Sequence, residues 1–333
     1  MPRKTYRKII TSEELTKQIN PENIKLMDKF LKEKSIRTSA KTIVVYESNL
    51  IMFFTWNLLN NSNKHFTEIK KIEFADFFSY ATDELQMGSS RLNNMRSTLS
   101  SLSNFIEKFF DEDYPNFRNV ILKVIESSPK ELRREKTILT DEQIENLLEY
   151  LSDKNKQQAC WLALAVTSGA RFSELLNFEV DLIDENKTAF GDLFLETVRQ
   201  IKTKGRGKSG KLLYKYILKD KFLPFYNNWL LERKDILEKN KIEHNYLFIK
   251  DDGSRATDST IRTWVAEFEN YLKVPFYTHA VRHYFVTLLS RKNIPYHLIQ
   301  AIVGWEDSSM VEIYNDQTIG EKSFPELENL RNL

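Results

Sequence analysis

TSGARFSELLNF, residues 167–178, places Arg171 just after a glycine at a helix start, with Glu174 one turn further on. An arginine and a glutamate three apart on a helix ordinarily make a surface ion pair worth roughly a few tenths of a kcal/mol. The segment gains weight from three others downstream: THAVRHYF (278–285), VGW (303–305) and EIYND (312–316).

His279 and Arg282 are three apart, so on a helix they share a face and can touch one group together. A planar guanidinium fork matches two phosphate oxygens, and histidine transfers protons near neutral pH. Two arginines, Arg171 and Arg282, converging with His279 on one phosphate would stabilise a pentavalent transition state. Trp305 can add an indole N–H donor, the one polar group its side chain has. Tyr314, in EIYND, closes the series.

With these residues in view, the chain resembles the tyrosine recombinases, or phage integrases. GARFSEL, HAVRH, the VGW tripeptide and a tyrosine nine positions after Trp305 are similar to the four ordered boxes of that family. The interval of three from His279 to Arg282 and of thirty-two from Arg282 to Tyr314 also resembles its spacing. The resemblance covers nearly the whole chain, because SAKTIVVYESNLIMFFTW is similar to the family's core-binding domain. It implies a C-shaped clamp on double-stranded DNA and attack by Tyr314 on the scissile phosphate. A 3′-phosphotyrosine and a free 5′-hydroxyl result, and rejoining reverses the step. Bond energy stays in the covalent intermediate, so neither metal nor nucleotide cofactor is implied; no GxxxxGK[ST] motif occurs. Relatives use a lysine on a β-hairpin as general acid. Lys204, before Gly205 at the turn, is the first choice here and Lys202 stays open. Glu174 resembles the acidic residue that orients the relatives' catalytic centre, and an ordinary helix ion pair explains it nearly as well. Two departures stand out. Most relatives carry histidine where Trp305 stands, and the chain begins directly with the core-binding bundle, without the arm-binding domain of many phage integrases.

Outward from these boxes, the expected fold is mainly α. Residues 1–126 read as a helical core-type DNA-binding bundle, 127–136 as a polar linker, and 137–333 as a mixed α/β catalytic domain with a small β-hairpin sheet and a C-terminal tail helix. In the bundle, Glu22 to Lys34 has helical apolar spacing, Ser39 caps a second helix, and a third spans roughly Phe74 to Glu84. A fourth starts after Gly88, capped by Ser89 or Ser90, and runs to about Phe109. Its polar side carries Arg91, Asn94 and Arg96, which with Lys41 are candidate DNA contacts; a solvated helix face is the plain alternative. Thr140 to Gln143 reads as a capping box. From Thr188 to Leu218 the pattern turns to strands, with Leu212, Tyr214, Tyr216 and Leu218 alternating after a basic loop. In that loop Lys202, Arg206 and Lys208 are candidate phosphate contacts.

Bulk properties agree with this outline. The net charge of +2 divides into +5 over residues 1–140 and −3 beyond, which permits nucleic-acid binding without requiring it. The lone cysteine, Cys160, lies in the apolar run WLALAV, so no internal disulfide or cysteine-rich metal site is possible. No signal peptide or membrane span is read, and the expected location is cytoplasmic. His65, His244 and His297 have no metal-ligand spacing. After Tyr314, Phe324, Leu327, Leu330 and Leu333 form an apolar stripe that packs on its own domain or docks on a neighbouring subunit. The latter suits a homo-oligomer, dimer to tetramer, on DNA. The expected activity is site-specific recombination. The alternatives are a recombinase-fold regulator or repressor that binds DNA without recombining it, and a type IB topoisomerase.

Overall fold

The computed structural model describes residues 8, 10–129, 137–203, 210–307 and 309–316. They fall into two compact units, one ending at residue 129 and the other starting at 137.

The first unit is helical: α1 (Glu13–Thr16), α2 (Pro21–Ser35), α3 (Ala40–Asn60), α4 (Lys71–Asp83), α5 (Ser89–Phe109) and α6 (Ile121–Val124). Its starts follow local chemistry. Asn20 caps α2 ahead of Pro21, and Ser39 Oγ accepts from the Thr42 amide to open α3. The expected cap of α5 by Ser89 or Ser90 is corrected. Gly88, extended at φ −71° and ψ 156°, takes the cap position, because its carbonyl already receives the Arg91 and Leu92 amides at 2.9 and 3.1 Å. Both serines therefore sit inside the helix. The core is strongly aromatic. Phe53 lies parallel to Phe74 at 5.6 Å and edge-on to Phe77 at 4.9 Å, geometries that favour ring quadrupoles. Asn49 Nδ2 donates to Thr98 Oγ1 at 2.7 Å, so one end of the amide buried between α3 and α5 is paired, while its Oδ1 has no partner among the described residues. Asn93 on α5 holds both the amide and the carbonyl of Ser128, which ties the first residues of the expected linker to this unit.

The second unit is built around α8 (Lys156–Ser168), which follows α7 (Asp141–Lys154). The Thr140–Gln143 capping box forms with both reciprocal bonds, at 3.0 and 3.1 Å. From Gln157 to Ser168 every residue of α8 is buried, as a helix apolar all round must be. Helices α7, α10 (Lys219–Asn240) and α12 (Thr278–Arg291) pack on it. Cys160 is enclosed there, and burial pushes its thiol above the ordinary range, which suits an inert side chain. A one-turn helix, α9 (Phe172–Leu175), follows α8. Between α9 and α10 lie two small antiparallel sheets: β1 (Thr188–Ala189), β2 (Phe194–Glu196) and β5 (Tyr216–Leu218) in the order β1-β2-β5, and β3 (Ile201–Thr203) with β4 (Lys211–Leu213). Of the alternating set read from the sequence, Tyr216 and Leu218 are half-buried against the small core around Phe285. Leu212 and Tyr214 are exposed, whereas Lys215 and Ile217 are buried. Lys215 lies between β4 and β5, which belong to different sheets, and is turned inward.

Helices α11 (Asp258–Leu272), α12, α13 (Tyr296–Val303) and α14 (Ser309–Tyr314) complete the unit. Phe285, Val286, Leu289, Ile299, Ile302, Val303, Trp305 and Val311 make a small core of their own that fixes α14 against α12. Among the described residues no helix is long and apolar enough to cross a membrane.

Candidate active site

Helix α8 ends at Gly169, whose φ of +56° is open to glycine at little cost. Space imposes the same choice: a Cβ there would sit 2.4 Å from Phe285 Cδ1. The turn delivers Arg171 to the N-cap of α9, where Glu174 closes a capping box by accepting the Arg171 amide at 2.8 Å. The other oxygen of Glu174 takes the Arg171 guanidinium at 3.0 Å. This is not the surface pair of an ordinary helix, because Glu174 is fully buried.

Arg282 points from α12 to the same turn and is 1% exposed. Its Nη1 donates to the Gly169 carbonyl at 2.6 Å, while Nε and Nη2 are buried without a hydrogen-bond partner among the described residues. Buried donors are rarely left open without a reason. Burial and the neighbouring Arg171 push this guanidinium down to about 10, against the pull of Glu174 and Tyr314. The Trp305 ring lies over it, 4.9 Å from guanidinium carbon to centroid. Trp305 is placed by Gly304, the left-handed C-cap of α13 at φ +77°.

Tyr314 ends α14 half-buried, its ring 4.9 Å from that of Trp305 and 5.8 Å from the Arg282 guanidinium carbon. His283 stacks on it at 4.4 Å, with Nδ1 3.2 Å from the Tyr314 carbonyl and 3.3 Å from Asp316 Oδ2. A carbonyl can only accept, so His283 Nδ1 carries the proton. That gives His283 the packing and hydrogen-bonding place beside the tyrosine. His279 stands exposed in the first turn of α12, one turn before Arg282.

One group in this cluster carries no box of its own. Lys215, 1% exposed, reaches Glu174 Oε2 at 2.8 Å. Its signal was a single lysine in the apolar stretch LLYKYIL. Burial lowers the Lys215 ammonium, Glu174 offsets part of this, and Arg282 and Arg171 lower it further. For Glu174 burial acts upward, yet Lys215 and Arg171 more than cancel it and hold the carboxyl below its ordinary value. Among the described residues, Arg171, Lys215 and Arg282 thus gather around the Glu174 carboxylate.

The hairpin lysine preferred from the sequence, Lys204, lies outside the described residues, as do Arg206, Lys208 and the tail from residue 317. Lys202 is exposed on β3. In the first unit Lys41 and Asn94 are exposed, and Arg91 is half-buried in the first turn of α5. Arg96 has structural bonds: Nε donates to the Ile125 carbonyl at 2.5 Å and Nη2 to that of Leu122 at 3.1 Å. Arg96→Ala should therefore destabilise the first unit by about 1–3 kcal/mol, because two carbonyls lose a charged donor. Urea unfolding checks it, and an unchanged midpoint would mean that these bonds contribute nothing.

Residues 137–320 match the model of the phage integrase family. The SPbeta prophage-derived recombinase-like protein YomM of Bacillus subtilis (strain 168) is 28% identical over 241 residues, covering 71% of this chain and 68% of its own. A tyrosine recombinase of Pseudothermotoga lettingae is 24% identical over 285 residues, covering 84% and 88%. Two solved structures share the fold. XerH site-specific recombinase bound to palindromic difH substrate has a TM-score of 0.64 at 20% identity, covering 87% of this chain and 79% of that one. The Tn1549 transposon integrase in complex with circular intermediate DNA has a TM-score of 0.63 at 14% identity, covering 92% and 98%.

Proposed function

The chain belongs to the phage integrase family, and from that premise we propose that it is a site-specific recombinase that cleaves and rejoins double-stranded DNA through Tyr314. The observation that carries this reading is Arg282: a fully buried guanidinium with two donors that have no partner among the described residues, beside the tyrosine ring and close to the cations Arg171 and Lys215. Such a pocket is short of an anion, and a phosphodiester supplies one.

In this reading Arg171 and Arg282 hold the non-bridging oxygens of the scissile phosphate, and Trp305 completes the pocket. The Tyr314 oxygen attacks phosphorus as the bond to the 5′-oxygen breaks. His279 receives the tyrosine proton and Lys204 gives one to the leaving 5′-oxygen. The product is a 3′-phosphotyrosine, from which a second strand's 5′-hydroxyl displaces the tyrosine. Lys41, Arg91, Asn94, Lys202, Arg206 and Lys208 would contact the DNA backbone around it. Exchange between two duplexes requires a homo-oligomer on DNA, dimer to tetramer, with the tail after about Gly320 docking on a neighbour.

Incubating the protein with a target duplex nicked beside the cleavage point tests the function. The short 5′-hydroxyl fragment is lost, so a covalent protein–DNA adduct should accumulate. Binding without adduct would instead make the chain a DNA-binding regulator. The acid is assigned by a second substrate. Replacing the 5′-bridging oxygen by sulfur gives a leaving group that needs no proton. Lys204→Ala should cleave the oxygen substrate poorly and the sulfur substrate normally, whereas Lys202→Ala should show no such rescue. The opposite pattern moves the role to Lys202.

A further inference from the structure

Lys215 is buried without belonging to any of the four boxes, and a buried ammonium is an expensive way to fill space. A well-packed apolar side chain serves stability as well or better. Its setting shows what the charge does. The Lys215 backbone is locked to Thr197 on both sides: its amide donates to Thr197 Oγ1 at 3.0 Å and its carbonyl accepts the Thr197 amide at 3.0 Å. A rigid strand edge therefore presents the ammonium to Glu174 Oε2, the oxygen that also accepts the Arg171 amide. Oε1 is left for the Arg171 guanidinium. Both ends of the carboxylate are thus fixed, and the arginine is held by an acceptor that cannot rotate.

Gly304 lets this strand edge approach the turn that carries Trp305. A Cβ on Gly304 would meet Leu213 Cδ1 at 2.6 Å and lie 3.9 Å from Lys215 Nζ. The lysine therefore stands where the α8–α9 turn and the α13–α14 turn come together.

We infer that Lys215 is a positioning residue for the cleavage step: through Glu174 it fixes the Arg171 guanidinium that faces the phosphate. The inference rests on the recombinase reading above.

The test uses the full-length protein on the nicked duplex, with DNA saturating, so that the rate of adduct formation is measured per bound complex. Lys215→Met keeps the length of the side chain and removes the ammonium. DNA affinity should stay within about twofold, while the cleavage rate falls on the order of 100-fold, the cost of a reacting group displaced by about 1 Å. In an Arg171→Lys background the same substitution should cost little more, because both act on one guanidinium. Independent effects would multiply. A Lys215→Met rate within about twofold of wild type overturns the inference, and so does full multiplicativity with Arg171→Lys.

If Lys215→Met does not accumulate folded, Glu174→Gln/Lys215→Met removes both charges of the pair and is measured in the same way. Folded protein with slow cleavage supports positioning. Recovery of cleavage together with folding assigns Lys215 to stability alone and overturns the inference, as would failure of the double variant to fold. A wild type that binds the duplex and forms no adduct overturns the recombinase reading, and this inference with it.

Discussion

Tyr314→Phe should bind target DNA at close to wild-type affinity and form no detectable covalent adduct. The two halves of this expectation rest on different atoms. The ring of Tyr314 packs against His283 and Trp305 and faces the Arg282 guanidinium, and phenylalanine retains all three contacts. The bonds that His283 and Thr287 make at this position go to the backbone carbonyl, which the substitution does not touch. Stability should therefore change by no more than about 0.5 kcal/mol. The hydroxyl is the atom that bonds to phosphorus, and removing a nucleophile costs on the order of 10⁴-fold or more in rate. Denaturing gels of the nicked-substrate reaction would show the adduct band vanish, while gel shifts on the intact site stay as they were. An adduct that persists in Tyr314→Phe would take the nucleophile's role away from this residue.

What the sequence disclosed, and what it hid, follows from where each interaction keeps its specificity. Arg171, Arg282, Trp305 and Tyr314, which the structure gathers in one cluster, stood out in the sequence as ordered boxes that resemble those of a family, and only the interval of three from His279 to Arg282 is one that helix geometry sets. The helical bundle was legible from apolar spacing, and Ser39 and Thr140 marked helix starts because side-chain caps leave a residue signature. Gly88 left none, since its carbonyl does the work and any residue has a carbonyl. The same holds for Gly169, whose carbonyl anchors Arg282 from 113 positions away. Arg96 looked like a groove contact because a cation on a polar helix face ordinarily faces water, yet its partners are backbone oxygens of a segment far along the chain. Lys215 was hidden for a further reason. A single lysine among apolar residues is ordinarily taken to reach water, and only its buried counter-ion, Glu174, could have shown that it lies inside.

Arg282→Lys should lower cleavage on the order of 10³-fold while changing DNA affinity far less, and the loss should deepen as the pH rises. The guanidinium in this pocket does three things at once. One nitrogen holds the Gly169 carbonyl, two others have no partner among the described residues, and the plane lies against the indole of Trp305. A lysine has a single nitrogen on a flexible stem, so satisfying the carbonyl withdraws it from the phosphate, and reaching the phosphate abandons the carbonyl. Losing preorganised donors at a developing charge costs about 10²–10³-fold for one donor. Binding depends on many backbone contacts and should hardly register the change. The pH dependence follows from the setting of the charge. Burial and Arg171 already press the guanidinium down to about 10, which leaves it fully protonated at neutral pH. A lysine starts from about 10.4, so the same burial and repulsion bring its folded value toward neutrality. Its charge is then present at low pH and lost as pH rises through that lowered value. Single-turnover cleavage between about pH 6 and 9 should therefore fall with rising pH in Arg282→Lys, relative to a wild type whose Arg282 stays charged throughout. A lysine variant that cleaved at the wild-type rate would remove Arg282 from the phosphate pocket. A slow variant whose ratio to wild type did not change with pH would keep the geometric half of the argument and defeat the electrostatic half.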